Sequence, residues 1–527
     1  MKRLSIIALA LAALVSFGCA KDYLDTAPSS STATSDIFET TEMAALAING
    51  LNKIMNYQYG SYGQGYNGEG TVRLYVGDYL GNNLMKCNST SFLNSANGNL
   101  YISTTATLAA YPWYYYYRIV GNANTIIANI DEAEGTDGER AFIKAQALTY
   151  RAYAYSNLVQ IFGRRWSDGQ DKLACILRLE PGEPDDKDRA TVGEVYTQIY
   201  ADLDEAISLF NSSGMANKRS NTYTMDLDVA YALYARVALT REDWSNALKY
   251  AQLARKNYPL MSVKDEKAGF CNPTSEWIWY LYGTDDEPLY YYSYFAYISY
   301  NSNASTVRTY PLLISRHLFD KIPTTDIRRA FWLDPAGYEG TFNTNTMKAN
   351  SQSNSNALYK YAFEYSKQDG RVGLYSTATV SAYMQFKVAN NNNPGVGNMV
   401  LFRSSEMLLI EAEAQYRLNN EAAARAALVE LNATSKRDPA YTCDKSGAAL
   451  MEEIKFYRGV ELWGEGFNWF DLKRWGDKID RKTYADGGNW MSSYAVTYGP
   501  NEKNNWTWTI PRQETDFNKG ISTTSNE

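Results

Sequence analysis

Two stretches near the C-terminal end carry the reading of this chain: LFRSSEMLLIEAEAQYRLN (Leu401–Asn419) and YRGVELWGEGFNWFDLKRWG (Tyr457–Gly476). In the first, Leu401–Leu418 followed by Glu421–Leu431 has the spacing of two antiparallel helices, and Glu406, Glu411 and Glu413 read as structural or solvated charges on the first of them. In the second, Glu461, Glu465 and Asp471 lie near Arg458, Lys473 and Arg474. Two acids close in space could serve a glycosidase. The local pattern favours another role: Arg458 and Glu461 stand one helical turn apart and can pair on one face, while Trp463, Phe467, Trp469, Phe470 and Trp475 crowd the segment with apolar surface. Ion pairs buried between packed aromatics are expected.

The hairpin pattern repeats upstream. In Glu139–Phe162, apolar residues from Phe142 through Leu148 and Tyr155 to Phe162 recur at steps of three and four, marking one buried face. Thr191 followed by Glu194 is a capping box that starts the next helix, with Val195, Ile199, Leu203, Ala206 and Phe210 inward. Asp226–Thr240 and Trp244–Asn257 form another pair, in which Ala247, Ala251, Ala254 and Pro259 fall at tetratricopeptide offsets. Tyr114–Tyr117 begin a further helix running through Ile126 and Ile130. Residues 36–259 thus read as helical. Residues 260–400 read as an irregular lobe, with Glu276–Tyr282 (EWIWYLY) strand-like and Phe342–Asn356 and Asn390–Asn398 as Asn- or Ser-rich loops. Residues 401–527 hold the last hairpin and the quoted motif.

A third block, WTIPRQETDFN (Trp508–Asn518), closes the chain. The three blocks together, in this order, resemble the SusD/RagB family of outer-membrane nutrient-binding lipoproteins of Bacteroidetes. The resemblance implies a mostly α fold, SusD-like, in which four tetratricopeptide-like helical hairpins form a scaffold for an irregular loop-rich lobe containing short strands, with residues 36–527 as one compact unit. It also implies a cell-surface protein that binds and does not catalyse, with no catalytic residues, cofactor or metal. Such a protein captures an oligosaccharide or polysaccharide and delivers it to a SusC-like TonB-dependent outer-membrane transporter; a peptide-capturing member with the same partner is the alternative, and a surface glycosidase a more distant one. The family builds its glycan site from an early loop and from loops of the irregular lobe. Here those are Tyr75–Lys86, with Tyr75, Tyr79 and Asn82, and Thr284–Asn303, with Tyr290, Tyr291 and Tyr292; Trp332 is a further candidate. Each has a plainer reading as packing, and Gly81-Asn82-Asn83 is also ordinary turn chemistry.

The N-terminus sets the compartment independently. Residues 1–18 have a short basic start (Lys2, Arg3), an apolar run too short to span a bilayer, and a small residue before Cys19. This is a lipoprotein signal peptide, with Cys19 as the acylated first residue of the mature chain and residues 19–35, including the Ser/Thr-rich Ser29–Ser35, as a tether. The alternative is plain secretion with Cys19 discarded. The location expected is the cell outer membrane, lipid-anchored and facing outward.

Composition narrows the chemistry. The 51 basic and 58 acidic residues give a net charge of −7 without a run of one sign, which argues against nucleic acid. Cys87, Cys175, Cys271 and Cys443 are widely spaced and form no CxxC or CxH arrangement; they could make two bridges or stand as isolated buried thiols, and no essential disulfide is expected. The single histidine, His317, excludes histidine-cluster metals and reads as a satisfied structural residue in an amphipathic stretch. Tyrosine outnumbers phenylalanine 44 to 18, with 12 tryptophans. So many polar-tipped rings imply half-wet aromatic surface, suited to stacking on sugars or to a protein interface.

Overall fold

The computed structural model describes residues 34–62, 65–87, 95–184, 186–215, 223–284, 292–368 and 371–522. The signal peptide, Cys19 and the tether up to residue 33 lie outside these. The principal helices are α1 (Thr41–Met55), α2 (Thr107–Asn129), α3 (Asp137–Phe162), α4 (Val192–Ser212), α5 (Leu227–Thr240), α6 (Trp244–Arg255), α7 (Ser404–Arg417), α8 (Glu421–Val429), α9 (Gly447–Glu461) and α10 (Asn468–Trp475). Neighbours in sequence stack: α2 on α3, α3 on α4, α5 on α6 and α7 on α8, while α6 also packs on α7 across the irregular lobe.

Local sequence explains these boundaries. The expected capping box opens α4, Thr191 Oγ1 accepting from Glu194 N at 3.2 Å while Thr191 N donates to Glu194 Oε2 at 2.8 Å. An equivalent box, Thr136 with Glu139, opens α3. In α6 the small residues Ala247, Ala251 and Ala254 are fully buried, which lets α5 and α7 approach closely on either side. Helix α2 starts seven residues before the tyrosine run, at Thr107, so Tyr114–Tyr117 sit in its interior.

Among the six short strands of the described residues, β1 (Leu84–Lys86) pairs antiparallel with β3 (Leu312–Ile314) and β2 (Trp277–Leu281) with β4 (Met399–Arg403), and near the C-terminus Ile479–Asp480 pairs with Thr497–Tyr498. The EWIWYLY segment is a strand, as its composition suggests. Leu401–Arg403, in contrast, do not begin a helix. They belong to β4, and α7 starts at Ser404. Every residue of β2 and β4 is buried, and a short wholly apolar run has no periodicity to separate strand from helix.

Between the helical stack and the irregular lobe lies a buried ionic lattice. Arg403, 1% exposed, reaches three carboxylates: Glu276 and Glu461, each at 2.7 Å, and Glu465 at 2.8 Å. Glu461 also takes Arg328 at 2.8 Å and Arg437 at 3.3 Å, and Lys387 Nζ donates to Glu465 at 2.7 Å. Phe270 lies beside both Lys387 and Arg403. Buried ion pairs among aromatics are therefore present, with one pairing different from expectation. Arg458 turns to Asp471 at 2.7 Å, not to Glu461, because three other arginines surround Glu461. Glu406, Glu411 and Glu413 are structural, paired with Arg236, Arg255 and Arg474. The four cysteines are free thiols, all but Cys443 buried. His317 is exposed rather than packed, with Nε2 3.0 Å from Lys321 Nζ.

Candidate functional site

Helix α1 ends at Met55 and feeds the segment NYQYGSYGQGYN (Asn56–Asn67), four tyrosines interleaved with glycine and amides. Its first residues form one wall of a narrow cleft. The second wall is Gly283, Thr284 and Ser293–Phe295, and the third is Gly395–Gly397. Three separated parts of the chain meet here nearly backbone to backbone. A Cβ on Gly283 would lie 2.1 Å from Gly397 O, so only glycine permits the approach. Asn56 Nδ2 donates to Tyr282 O at 2.8 Å and Ser293 Oγ to Gly395 O at 2.5 Å, tying the walls together.

The rim of this cleft is aromatic. Among the described residues the exposed large aromatics are Tyr57, Tyr282, Tyr375 and Phe517; Tyr57 lines the cleft, and Tyr282, 53% exposed, precedes its second wall. Tyr223 lies beside Tyr282 with ring centres 5.7 Å apart. No Lys, Arg, Asp or Glu side chain is among the described residues that line it. The arrangement offers flat apolar faces and polar groups, which suits stacking and hydrogen bonding.

Next to the cleft is a cluster of phenols made by Tyr66, Tyr75, Tyr292 and Tyr297. Burial, with Tyr292 and Tyr66 adding to it, pushes the Tyr297 phenol up to about 12, and burial followed by Tyr297 and Tyr66 raises that of Tyr75. Tyr66, Tyr75 and Tyr297 stay protonated at neutral pH and can donate. Tyr75 and Tyr292 are half-buried here, so the structure brings these two expected residues together. Tyr290 and Tyr291 lie outside the described residues.

Other expected site residues are placed elsewhere. Tyr79 is 1% exposed, with its ring on Tyr75. Trp332 is 2% exposed and edge-to-face with Trp463 at 5.8 Å. Both are core residues and present no face to a ligand. Asn82 uses its side chain as a clasp, Nδ2 donating to Lys478 O at 2.9 Å and Oδ1 accepting from Asp480 N at 3.0 Å, so the turn reading describes it better. Tyr57, Tyr66, Tyr282 and Tyr297 escaped the sequence reading, although the tyrosine–glycine–amide mixture of Asn56–Asn67 was a visible signal for the first two.

The tyrosine surplus is also explained differently from expectation. Much of it is internal: Tyr115 and Tyr116 donate to the buried carboxylate of Glu69 at 3.1 Å, and Tyr117 and Tyr155 donate at 2.7 Å to the carbonyls of Ile176 and Arg178. The phenols satisfy buried acceptors where phenylalanine could not. Glu461, Glu465 and Asp471 are buried and paired with cations, and none lines the cleft. Among the described residues no cluster of His, Cys, Asp and Glu could hold a metal ion, and no helix is long and apolar enough to cross a membrane.

Comparison with known proteins agrees with this architecture. The model of the SusD family matches residues 243–526, and a second one, described as starch-binding associating with outer membrane, matches residues 22–239. SusD-like protein P2 of Formosa agariphila is 24% identical over 405 residues, covering 71% of this chain and 73% of that protein. The fold is shared with the crystal structure of a SusD-like carbohydrate binding protein from Bacteroides vulgatus, at TM-score 0.72 and 22% identity over 92% of this chain and 98% of that one. A SusD superfamily protein from Bacteroides thetaiotaomicron superimposes at TM-score 0.71 and 21% identity, over 92% and 99% of the two chains. With a family model spanning more than half its length, a mostly helical scaffold and short buried strands, this chain belongs to the SusD family.

Proposed function

We propose that this protein captures a glycan at the outer face of the outer membrane and delivers it to a SusC-like TonB-dependent transporter. Family membership and the outer-membrane description of its N-terminal match support the setting. The signal peptide and Cys19 supply a lipid anchor, with residues 19–35 as the tether. Residues 36–527 act as one unit in this reading, and the loops of 260–400, with Asn56–Asn67 and Tyr75, make its binding end. It works by holding and releasing, with no bond broken.

The observation that carries this reading is the cleft with Tyr57 and Tyr282 exposed at its rim. Each aromatic contact contributes about 0.5–1.5 kcal/mol, and a few such contacts with hydrogen bonds correspond to dissociation constants of roughly micromolar to millimolar. Affinity of that order suits a carrier that must let go.

Affinity electrophoresis of the lipid-free chain from Lys21 against plant, host and microbial polysaccharides tests it. One class is expected to retard the protein without release of reducing ends. Tyr57→Ala and Tyr282→Ala should each weaken that binding roughly fivefold, equivalent to about 1 kcal/mol per ring, with melting temperature unchanged because both rings are exposed. Binding of peptides in place of every polysaccharide would overturn the glycan reading.

A further inference from the structure

Helix α2 carries a glycine at position 121, well inside its span of Thr107–Asn129. Glycine in a helix interior is destabilising, and close packing is a common reason to keep one there. Packing does not account for this one, since a Cβ on Gly121 would meet no other segment of the described residues within 4 Å. The missing side chain instead leaves open the floor of a groove of about 650 Å³, a volume within the range of ligand sites. Tyr114, Tyr117, Gly121 and Thr125 recur at steps of three and four and share the face of α2 that forms this floor. One wall is the loop 178–183, pinned where Glu183 Oε1 accepts from Leu179 N at 2.5 Å and from Glu180 N at 3.0 Å. The other is the short helix α11 (Arg512–Phe517), held to α2 where Trp113 Nε1 donates to Glu514 Oε2 at 3.1 Å. Asn518 joins the two walls: its Oδ1 accepts from Lys187 N at 3.0 Å and its Nδ2 donates to Lys187 O at 2.8 Å. The groove is thus preformed.

Two rings reachable from solvent line it. Phe517 is 80% exposed, on a helix with no buried residue. Tyr114 is half-buried and stacks on Tyr62 with ring centres 6.5 Å apart, and Tyr62 belongs to the same tyrosine-rich segment whose Tyr57 lines the cleft. We infer that this groove is a second contact surface for the captured polysaccharide, holding a stretch of the chain several sugar residues away from the stretch at the cleft. The inference rests on the glycan-capture reading. Phe517 and Tyr114 offer flat faces for the CH faces of sugar rings. Glu180, exposed on the loop wall, and half-buried Glu514 opposite put carboxylates on both sides. A carboxylate only accepts, with sites for about four hydrogen bonds. Glu514 uses one on each oxygen, from Trp113 and Asn518, so both oxygens keep room for a sugar hydroxyl. A concave strip along one helix fits a polymer chain, whereas a protein partner needs a broad surface.

A ligand held at two places on one chain gains affinity beyond either place alone, so ligand length is the readout. Titration calorimetry on the chain from Lys21 compares starch, xylan, mannan and mixed-linkage β-glucan, each with its own trisaccharide. One polymer is expected to bind at least about tenfold more tightly than its trisaccharide, counted per bound protein. Gly121→Gln, which fills the floor, and Phe517→Ala should each remove most of that margin and leave the trisaccharide affinity level, while Tyr57→Ala weakens both ligands. The melting temperature should rise in Gly121→Gln, where a helix former replaces glycine, and stay level in Phe517→Ala, so unfolding does not account for the loss. Polymer affinity unchanged in both groove variants, with Tyr57→Ala still weakening it, would overturn the groove and leave glycan capture standing. Equal losses for polymer and trisaccharide in the groove variants would overturn the division into two surfaces. No binding of any polymer by the native chain would remove the capture reading and the groove together.

Discussion

Arg403→Ala destabilises the protein by about 3–5 kcal/mol, the loss expected when one partner of a buried ion pair is removed and its counter-charges stay behind. Here the counter-charges are Glu276, Glu461 and Glu465, all buried. Lys387 alone remains beside Glu465, and its Nζ is already shared with the carbonyls of Glu461 and Trp463. Arg403→Lys should recover little, since an ammonium cannot present donors to three carboxylates in the directions that the guanidinium fork covers. Chemical denaturation followed by circular dichroism measures this, and a loss below about 1 kcal/mol for the alanine variant would contradict it.

The same site sets acid sensitivity. Burial alone would push the Glu465 carboxyl up, but Arg403 and Lys387 beside it outweigh that and hold it at about 2, against an ordinary 4.5. A carboxylate held low stabilises the fold above its unfolded value and loses that contribution as pH falls through its folded one. Stability in the native chain should therefore decline between about pH 4.5 and pH 2 through this group. Arg403→Ala removes the larger of the two charges that hold this carboxyl low, so its folded value rises and the acid-linked loss of stability through Glu465 should shrink or vanish.

Trp332→Ala should be almost as damaging, at about 3–5 kcal/mol for an aromatic removed from a packed core. Its ring sits against Trp463 and Phe331, and Trp332 forms a bridge with Gln385, so the void opens where the irregular lobe meets the C-terminal motif. Glycan affinity of the fraction that remains folded should be unchanged, since the ring faces no open cleft. The contrast with Tyr57→Ala is direct, one variant losing stability without affinity and the other affinity without stability. A Trp332→Ala protein with native melting temperature and weakened binding would return Trp332 to the ligand site.

How much of this was readable in the residues depended on whether the cause was local. The Thr191–Glu194 box and the alanine ladder of α6 are set by neighbours three or four positions away, and both appear where spacing placed them. Pairing of β2 with β4 joins Trp277 to Arg403 across more than a hundred residues, and nothing near Leu401 announces it. Tyr79 and Trp332 fail as surface candidates for a related reason: an aromatic residue in a loop-like stretch looks the same whether a distant segment covers it or not. Arg458 and Glu461 show the limit of helical spacing, which brings two charges within reach yet cannot say which other charges compete for them. The site was half visible. Its location among early and central loops followed from the family resemblance, whereas the particular rings at the rim depend on how three distant segments meet.

The ionic lattice also has a consequence for the order in which the chain can mature. Arg328 and Arg403 are synthesised before Glu461 and Glu465, two of the carboxylates that pair with them in the finished molecule. Until Glu461 and Glu465 exist, Arg403 has only Glu276 and Arg328 only Asp326 as carboxylate partner among the described residues, so burying them early would leave part of their counter-charge missing. A chain ending before residue 461 thus lacks two carboxylates of this lattice, and it should be more sensitive to protease than the full chain. Under the proposed placement at the outer face of the outer membrane, a lock whose key is cut last would guard against closing on the wrong side.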